Sequence, residues 1–304
     1  MLVWVPLEPV ARALDGIDGI TVAVVDPDDG AELPPSASEV ELYVPPLFPR
    51  AAALGAMAAM PSLRLVQTLT AGVDLVRPHI PVRAMLCNAR GVHDTSTAEW
   101  VVTATLAAIR QIPYFTAEQA AGRWSNRFTG SLAGRTVLIV GYGSIGHAVE
   151  RRLAGFDAQI VRVARSARDD VRSITELPAL LPQSDVVILL APVTGETVGM
   201  VDSAFLAAMK DGALLVNGAR GTLVVTDDLC AELSTGRLRA ALDVTDPEPL
   251  PAGHPLWAMP NALITPHVAA STAFSATAAL AFLREQVLRW RADTPLVNVI
   301  TGEY

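Results

Sequence analysis

The chain has 304 residues, 51% of them apolar and 5% aromatic, with a formal charge of -8 at pH 7. That length holds one large domain or two ordinary ones and supplies a sizeable core. The negative charge, the near absence of lysine and the lack of a basic run argue against a nucleic-acid partner, and no apolar run approaches the roughly 18 residues a membrane helix needs.

The opening MLVWVPLEPV is apolar, lacks a basic leader and is broken by Pro6 and Pro9. It reads as a first strand rather than a signal peptide. Cys87 and Cys230 stand far apart and in no metal-type spacing, so they read as buried thiols of a reducing cytoplasm, and no metal site is expected. Short apolar runs at 2–5, 21–25, 41–44 and 65–69 are candidate strands. Others follow at 137–140, 159–163, 186–190, 213–216, 240–243 and 262–264. Helix-length stretches such as SITELPALL (173–181) and DSAFLAAMK (202–210) lie between them. This alternation predicts an α/β protein built on doubly wound parallel sheets with helices on both faces.

The run STAEWVVTATLAAIR (96–110) predicts a long helix, with Ser96 or Thr95 as cap and Glu99 completing a capping box. GRWSNRFTGSLAGR (122–135) is irregular, and a fresh strand follows it. A domain change is therefore expected near residue 95. The last long helix, about 271–291, precedes an extended PLVNVI (295–300) that has no new sheet to join and is expected to cross back to the first domain. The reading is a domain of 1–95 plus 273–304 with a second domain, 96–272, inserted in it.

Within the insert, GRTVLIVGYGSIGHAVERRLAGF (134–156) places Gly141, Gly143 and Gly146 in G-x-G-x-x-G directly after a strand. Ile145, Val149 and Leu153 then repeat at helical spacing. In that context Gly141 permits the tight turn, Gly143 lets a pyrophosphate approach the backbone and Gly146 lets helix and strand pack closely. The amides near Ser144 and Ile145 face the phosphates of a dinucleotide. His147 reads as a surface residue. NAD binding calls for an acid at the end of the next strand, to accept from the ribose hydroxyls. Here Ala164 stands in that place, followed by Arg165 and Ser166, with no acid before Asp169. An acid would repel a 2′-phosphate, whereas Arg and Ser would bind it, so NADP(H) is favoured over NAD(H). The alternative is that Arg165 stacks on adenine and either cofactor binds.

Three polar islands follow: VNGARGTLV (216–224), ALDVTDPEPLP (241–251) and HPLWAMPNALITPHVAAST (254–272). Each adjoins a candidate strand, and ligands of open α/β sheets lie at the strands' carboxyl ends. Arg220, Asp243, Glu248 and His267 can therefore converge. Because the overall charge is negative, a small anionic substrate needs a local positive site, and Arg220 at the end of a buried strand provides one. Taken singly, a histidine after Pro266 is a satisfied structural residue and DPEP a solvated turn.

Taken together and in this order, the islands resemble the D-isomer-specific 2-hydroxyacid dehydrogenases. The resemblance also covers TLTAGVD (68–74), GVHDTSTAEW (91–100), APVTGETVGMVDSAFLAAMKDGALLVNGARG (191–221) and TPHVAAST (265–272), so it spans nearly the whole chain. It implies two Rossmann-like domains with the active site in the cleft between them. The substrate (catalytic) domain is then 1–95 plus 273–304 and the dinucleotide-binding domain 96–272. It implies hydride transfer between a nicotinamide and a small 2-oxo or 2-hydroxy acid, with reduction of glyoxylate, hydroxypyruvate or a similar 2-oxo acid expected from NADPH use. A homodimer formed through the cofactor domain is also implied; the cytoplasmic reading rests on the cysteines and the N-terminal segment.

The family's substrate arginine corresponds to Arg220, whose planar donor fork can hold carboxylate and keto oxygen together. The acid–base residue corresponds to His267, and imidazole suits proton exchange near neutral pH. The carboxylate on its other ring nitrogen corresponds to Glu248, a neighbouring anion favouring imidazolium. Asp246 competes for that role; Glu248 is preferred because it directly precedes Pro249-Leu250, as in the family motif. The formate-oxidising branch, which normally has Gln there, is disfavoured. Ala71 and Gly72 match the turn whose amides hold the substrate carboxylate. Thr97, Pro192, Ala219, Asp243, His267 and Ala269 are implied cofactor contacts, with Thr97, Pro192 and Asp243 on the nicotinamide side and Asp243 matched to a carboxamide contact. YVPPLFPRAAA (43–53) is the expected wall for the substrate side chain, with Leu47 and Phe48 apolar. Two other readings compete. A dinucleotide-sensing, corepressor-like binding protein would share this scaffold but needs a peptide groove. Another Rossmann enzyme, such as a methyltransferase, explains the glycines but not the three islands.

Overall fold

The structure is a computed structural model that describes residues 1–301; residues 302–304, assigned above to the first domain, lie outside the described residues. The chain forms two compact units, Met1–His93 with the segment from Ala273 onward, and Asp94–Thr272. The second is thus inserted in the first. Each carries one parallel sheet among the described residues.

In the first unit the strands are β1 (Leu2–Val5), β2 (Thr21–Val24), β3 (Val40–Tyr43), β4 (Leu65–Gln67) and β5 (Met85–Cys87), in the order β2-β1-β3-β4-β5. Alternate side chains enter two cores on opposite faces. Val3, Val5, Leu42 and Leu65 join one, while Trp4, Tyr43 and Val66 join the other. A sheet covered on both faces explains why these strands read as unbroken apolar runs. β5 was not among the expected strands: it is three residues long at the edge of the sheet, too short to stand out as a run.

The last helix, Ala273–Arg291, places Leu283 and Val287 in the first of those cores. The chain has thus returned to the first unit at Ala273, before the extended segment that was expected to make that return, and this segment then crosses beside β5. Ile300 N donates to Leu86 O at 2.8 Å, and Asn88 N to Asn298 O at 3.2 Å. Gln286, fully buried, locks the crossing. Its Nε2 donates to Gln67 Oε1 and to Val297 O, both at 2.9 Å, and its Oε1 accepts from Val297 N at 3.0 Å.

In the second unit the strands are β6 (Thr136–Val140), β7 (Gln159–Ala164), β8 (Val171–Ser173), β9 (Val186–Leu189), β10 (Leu214–Asn217), β11 (Arg239–Leu242) and β12 (Ala262–Ile264). Their order is β12-β11-β10-β9-β6-β7-β8, all parallel. Strand order reverses between β6 and β9, the switch point at which doubly wound sheets open a ligand crevice. Leu138, Val187, Leu189 and Leu215 pack on one face; Val137, Ile139, Val186, Ile188, Leu214 and Val216 pack on the other.

Three local expectations are corrected. The helix expected from Ser96 spans Asp94–Ile109, so Ser96 lies inside its first turn, buried, and its hydroxyl meets Thr272 Oγ1 at 2.7 Å instead of capping. Glu99 pairs with Arg152 rather than closing a capping box. SITELPALL is not one helix: Pro178 and Pro182 divide it into short pieces, Ile174–Glu176, Leu177–Leu180 and Leu181–Gln183. No helix among the described residues is long and apolar enough to cross a membrane.

Replacing Gln286 with leucine leaves Gln67 Oε1 and both backbone groups of Val297 without their partner. Urea unfolding of the variant is expected to show a loss on the order of 3 kcal/mol, from the cost of buried polar groups left unpaired; a change within 0.5 kcal/mol of zero on the same scale contradicts the lock.

Candidate active site

The glycine motif lies at the carboxyl end of β6. Gly141 has φ 98°, and a Cβ there would stand 2.3 Å from Ala191 N, so both the turn and the neighbouring backbone exclude a side chain. Gly143 caps the helix Ser144–Leu153, and a Cβ on it would meet nothing within 4 Å. The protein itself therefore does not demand glycine at 143; the open backbone beside a helix N-terminus fits an approaching phosphate. Gly146 lies against Gly141 O and Ile139, where helix and strand meet closely. Ser144 Oγ donates to Asp94 Oδ1 at 3.1 Å, and Thr97 is buried one turn further along Asp94's helix. Ile145 packs against the core below.

Strands β6 and β7 run side by side with Val140 opposite Val163, so Arg165 and Ser166 emerge next to the glycine turn. Both are exposed, and Arg165 Nε is 3.7 Å from Glu196 Oε2. Sequence reasoning missed Arg168, whose Nη2 donates to Tyr142 O inside the glycine motif at 2.8 Å. It also missed the cluster beneath that turn. Tyr142 OH reaches Glu150 and lies 3.1 Å from His147 Nδ1, and Arg162 grips Glu150 through Nε at 2.9 Å and through Nη2. Hydrogen bonding by Arg162 holds the Glu150 carboxyl below its usual range, while burial, then the Glu150 carboxylate, pushes the Tyr142 phenol up. An arginine inside the strand run QIVRVA was the available signal.

The Arg220 segment follows β10. Asn217, buried, folds it from within: Nδ2 donates to Arg220 O at 2.9 Å, and Oδ1 accepts from Ala219 N at 3.1 Å. Arg220 Nη1 in turn donates to Ala219 O at 2.9 Å. A Cβ on Gly221 would lie 1.9 Å from Thr245 O, so the segment after Arg220 presses directly on the chain leading to Glu248. That contact explains the glycine after Arg220.

On the neighbouring strand Asp243, also buried, organises the histidine. Its amide continues the ladder by donating to Asn217 O at 3.0 Å, and its carbonyl accepts from His267 N at 2.7 Å. Its carboxylate accepts from Thr265 Oγ1 at 2.6 Å, Val268 N at 2.9 Å and Ala269 N at 2.8 Å. Trp100 Nε1 donates to the same Thr265 hydroxyl at 3.0 Å. His267 has φ 53°, a left-handed conformation rare for a residue with a Cβ. The reversed chain presents His267 Nδ1 to Glu248 Oε1 at 2.5 Å. Asp246, the competing carboxylate, has its backbone carbonyl held by Thr226 Oγ1 at 2.6 Å. Pro192 is exposed after β9, its carbonyl bonded by Thr197 Oγ1 at 2.7 Å. One strand-end cluster thus carries Arg220, Glu248 and His267, with Ala219, Asp243 and Ala269 around them, while the glycine turn occupies the middle of the same edge. Ala71 and Gly72 belong to the other unit, on the turn after β4, where Ala71 O accepts from Asn88 Nδ2 at 2.7 Å. In that unit Leu47 and Phe48 are exposed on the chain after β3.

A carboxylate-paired imidazole and a glycine-rich helix start at the carboxyl ends of one parallel sheet fit proton transfer to a substrate of a dinucleotide-dependent reaction, and comparison with known proteins points the same way. The model of the D-isomer specific 2-hydroxyacid dehydrogenase NAD binding domain matches residues 102–269. A protein named glyoxylate reductase from Thermofilum pendens is 35% identical over 231 residues, 71% of this chain and 68% of that one. A glyoxylate reductase/hydroxypyruvate reductase of Mus musculus is 34% identical over 229 residues, 71% of this chain and 70% of its own. The crystal structure of a D-isomer specific 2-hydroxyacid dehydrogenase from Xanthobacter autotrophicus Py2, in complex with NADPH and MES, superposes with a TM-score of 0.83 at 30% identity, covering 99% of each chain. These findings favour the enzyme over the corepressor-like reading. The chain belongs to the D-isomer-specific 2-hydroxyacid dehydrogenases, nicotinamide-dependent oxidoreductases acting on the CH–OH group.

Proposed function

We propose that this protein reduces small 2-oxo acids, glyoxylate and hydroxypyruvate foremost, and prefers NADP(H) to NAD(H). The observation that carries the reading is the Glu248–His267 pair at 2.5 Å, held in the strand-end cluster that also presents Arg220. The names of the relatives above support the substrate class, and the NADPH complex of the Xanthobacter protein supports the cofactor.

The unit Asp94–Thr272 is the dinucleotide unit in this reading, and the remainder is the substrate unit. The open backbone at Gly143, the helix start at Ser144 and Ile145, and the exposed Arg165 and Ser166 fit a pyrophosphate and a 2′-phosphate. Thr97, Pro192, Ala219, Asp243 and Ala269 line the nicotinamide end. When bound, the reduced nicotinamide supplies the hydride. Arg220 orients the substrate through its carboxylate and keto oxygen, and the amides of the Ala71–Gly72 turn give the carboxylate a second grip. A carboxylate can only accept, so His267 Nδ1 carries a proton toward Glu248. Nε2 is then the atom that delivers a proton to the keto oxygen and takes it back in reverse. Glu248 holds the ring in that orientation.

Two further parts of the reading concern assembly and location. Trp124 and Phe128, fully exposed in the unit Asp94–Thr272, support a homodimer formed through that unit. The free thiols of Cys87 and Cys230 are compatible with a reducing cytoplasm.

Initial rates with glyoxylate, hydroxypyruvate, pyruvate and bulkier 2-oxo acids, each with NADH and NADPH, test the assignment; no turnover with any pair overturns it. Under the best pair, His267→Asn is expected to lower kcat by roughly two to four decades, the usual worth of a general acid. Arg165→Asp is expected to shift the kcat/KM ratio of NADPH to NADH toward NADH by roughly 10- to 100-fold, the value of one or two charge-assisted bonds. An unchanged ratio removes Arg165 from phosphate recognition.

A further inference from the structure

Glu248 sits in a stretch whose backbone cannot hold itself. In DPEPLP (246–251) every second residue is proline, at 247, 249 and 251, and each lacks an amide hydrogen. Among the described residues, no backbone-to-backbone hydrogen bond reaches 244–250. Apolar contacts fix the two ends: Val244 is buried, and Leu250 packs against the core.

Between those ends, two threonine hydroxyls hold the chain. Thr226 Oγ1 donates to Asp246 O at 2.6 Å, and Thr245 Oγ1 to Pro247 O at 2.9 Å. A carbonyl only accepts, so each hydroxyl is the donor. The peptide joining Asp246 to Pro247 has an oxygen but no N–H, so that carbonyl is its one hydrogen-bonding handle. The peptide joining Pro247 to Glu248 is planar, so a bond to Pro247 O also fixes the plane that contains Glu248 N. The proline ring locks φ between the two planes. Both peptides leading into Glu248 are thus held, and with them the point from which its side chain reaches His267 Nδ1 at 2.5 Å.

Of the two hydroxyls, that of Thr226 ties the stretch to another element. Thr226 is the first residue of the helix Thr226–Ser234, whose Leu229 and Leu233 are buried in the core. Its bond spans 20 residues and joins the helix that follows the Arg220 segment to the loop of Glu248. Thr245 belongs to that loop itself.

We propose that Thr226 is a positioning residue for proton transfer: its hydroxyl holds the Asp246–Pro247 peptide so that the Glu248 carboxylate stays on His267 Nδ1, and it acts without bonding to substrate or cofactor. The inference rests on the acid–base reading of His267 in the function proposed above and deepens it, by naming what keeps the carboxylate in place. Its loss should therefore appear in turnover and not in binding.

The test compares Thr226→Val, which keeps the branched shape and loses the donor, with Thr226→Ser, which restores it. The first readout needs neither substrate nor cofactor. With histidine nitrogens isotopically labelled for NMR, couplings to the ring C–H protons show which nitrogen carries the hydrogen in alkaline buffer, and His267→Asn identifies the signals. The tautomer follows the hydrogen bond that the ring makes. Wild type and Thr226→Ser are expected to keep the hydrogen on Nδ1, and Thr226→Val to move toward the pattern of Glu248→Ala, whose ring has no carboxylate beside it. The second readout is steady-state kinetics with glyoxylate and NADPH. Thr226→Val is expected to lower kcat roughly three- to tenfold, the value of one hydrogen bond, with glyoxylate KM and NADPH affinity within about twofold of wild type. Added to Glu248→Ala, it should change kcat by less than about twofold, because residues that act through one contact are non-additive. An unchanged tautomer in Thr226→Val, a kcat loss that serine does not restore, or a full further loss in the Glu248→Ala background overturns the inference. A wild type whose tautomer already matches Glu248→Ala overturns it too. A tautomer that depends on Thr226 in a protein that turns over no 2-oxo acid upholds the positioning of Glu248 while the functional reading falls.

Discussion

The reversal of the chain at His267 depends on one buried carboxylate. Asp243 ends β11 with its side chain turned into the segment that follows β12, where it accepts two backbone amides and the Thr265 hydroxyl. A non-glycine residue in a left-handed conformation costs about 1–3 kcal/mol. Hydrogen bonds to a charged acceptor contribute about 1.5–3 kcal/mol each, so three of them exceed the strain. The positive φ of His267 is therefore stable, and with it the direction in which the ring leaves the backbone toward Glu248.

The same logic operates one strand over. Asn217 is the buried polar residue that ends β10, and its amide folds the Arg220 segment as the Asp243 carboxylate folds that of His267. The amide of Asp243 donates to the carbonyl of Asn217, so a single ladder bond joins the two organisers. Gly221 completes the assembly by letting Thr245 press against the backbone after Arg220. A parallel sheet aligns strand ends; these two polar residues convert that alignment into a fixed relation between a guanidinium segment and an imidazole.

Much of this was legible in the sequence. Apolar runs buried on both faces stand out, and the central strands were found within a residue or two. β5 and β8, three residues each at sheet edges, were missed, whereas β12, equally short and at an edge, was found. The glycines could be assigned separate tasks because turn, phosphate approach and helix packing make different demands on a missing Cβ. The choice of Glu248 over Asp246 followed a motif, and the geometry pairs Glu248 with the ring. What sequence could not supply was the second layer. Asn217 acts on backbone groups two and three residues away, and Thr265, Arg168 and the Tyr142–Glu150–Arg162 cluster act on a carboxylate, a backbone carbonyl or each other across 8 to 26 residues of chain; the pattern of apolar residues records none of these contacts. Asp243 was matched to a nicotinamide contact; the bonds its carboxylate makes in this structure are to the His267 segment. Ser96 illustrates the converse, a capping pattern overridden because its helix begins at Asp94 and the hydroxyl is drawn to Thr272.

A double-mutant cycle on kcat/KM with the best 2-oxo acid tests most directly whether Asp243 acts through His267. Asp243→Asn, His267→Asn and the double variant are compared with the wild type. If the carboxylate works by presenting the imidazole, the double variant is no slower than His267→Asn alone, because residues that act as a unit are strongly non-additive. Losses that multiply would mean that the two side chains contribute independently, and would contradict the account.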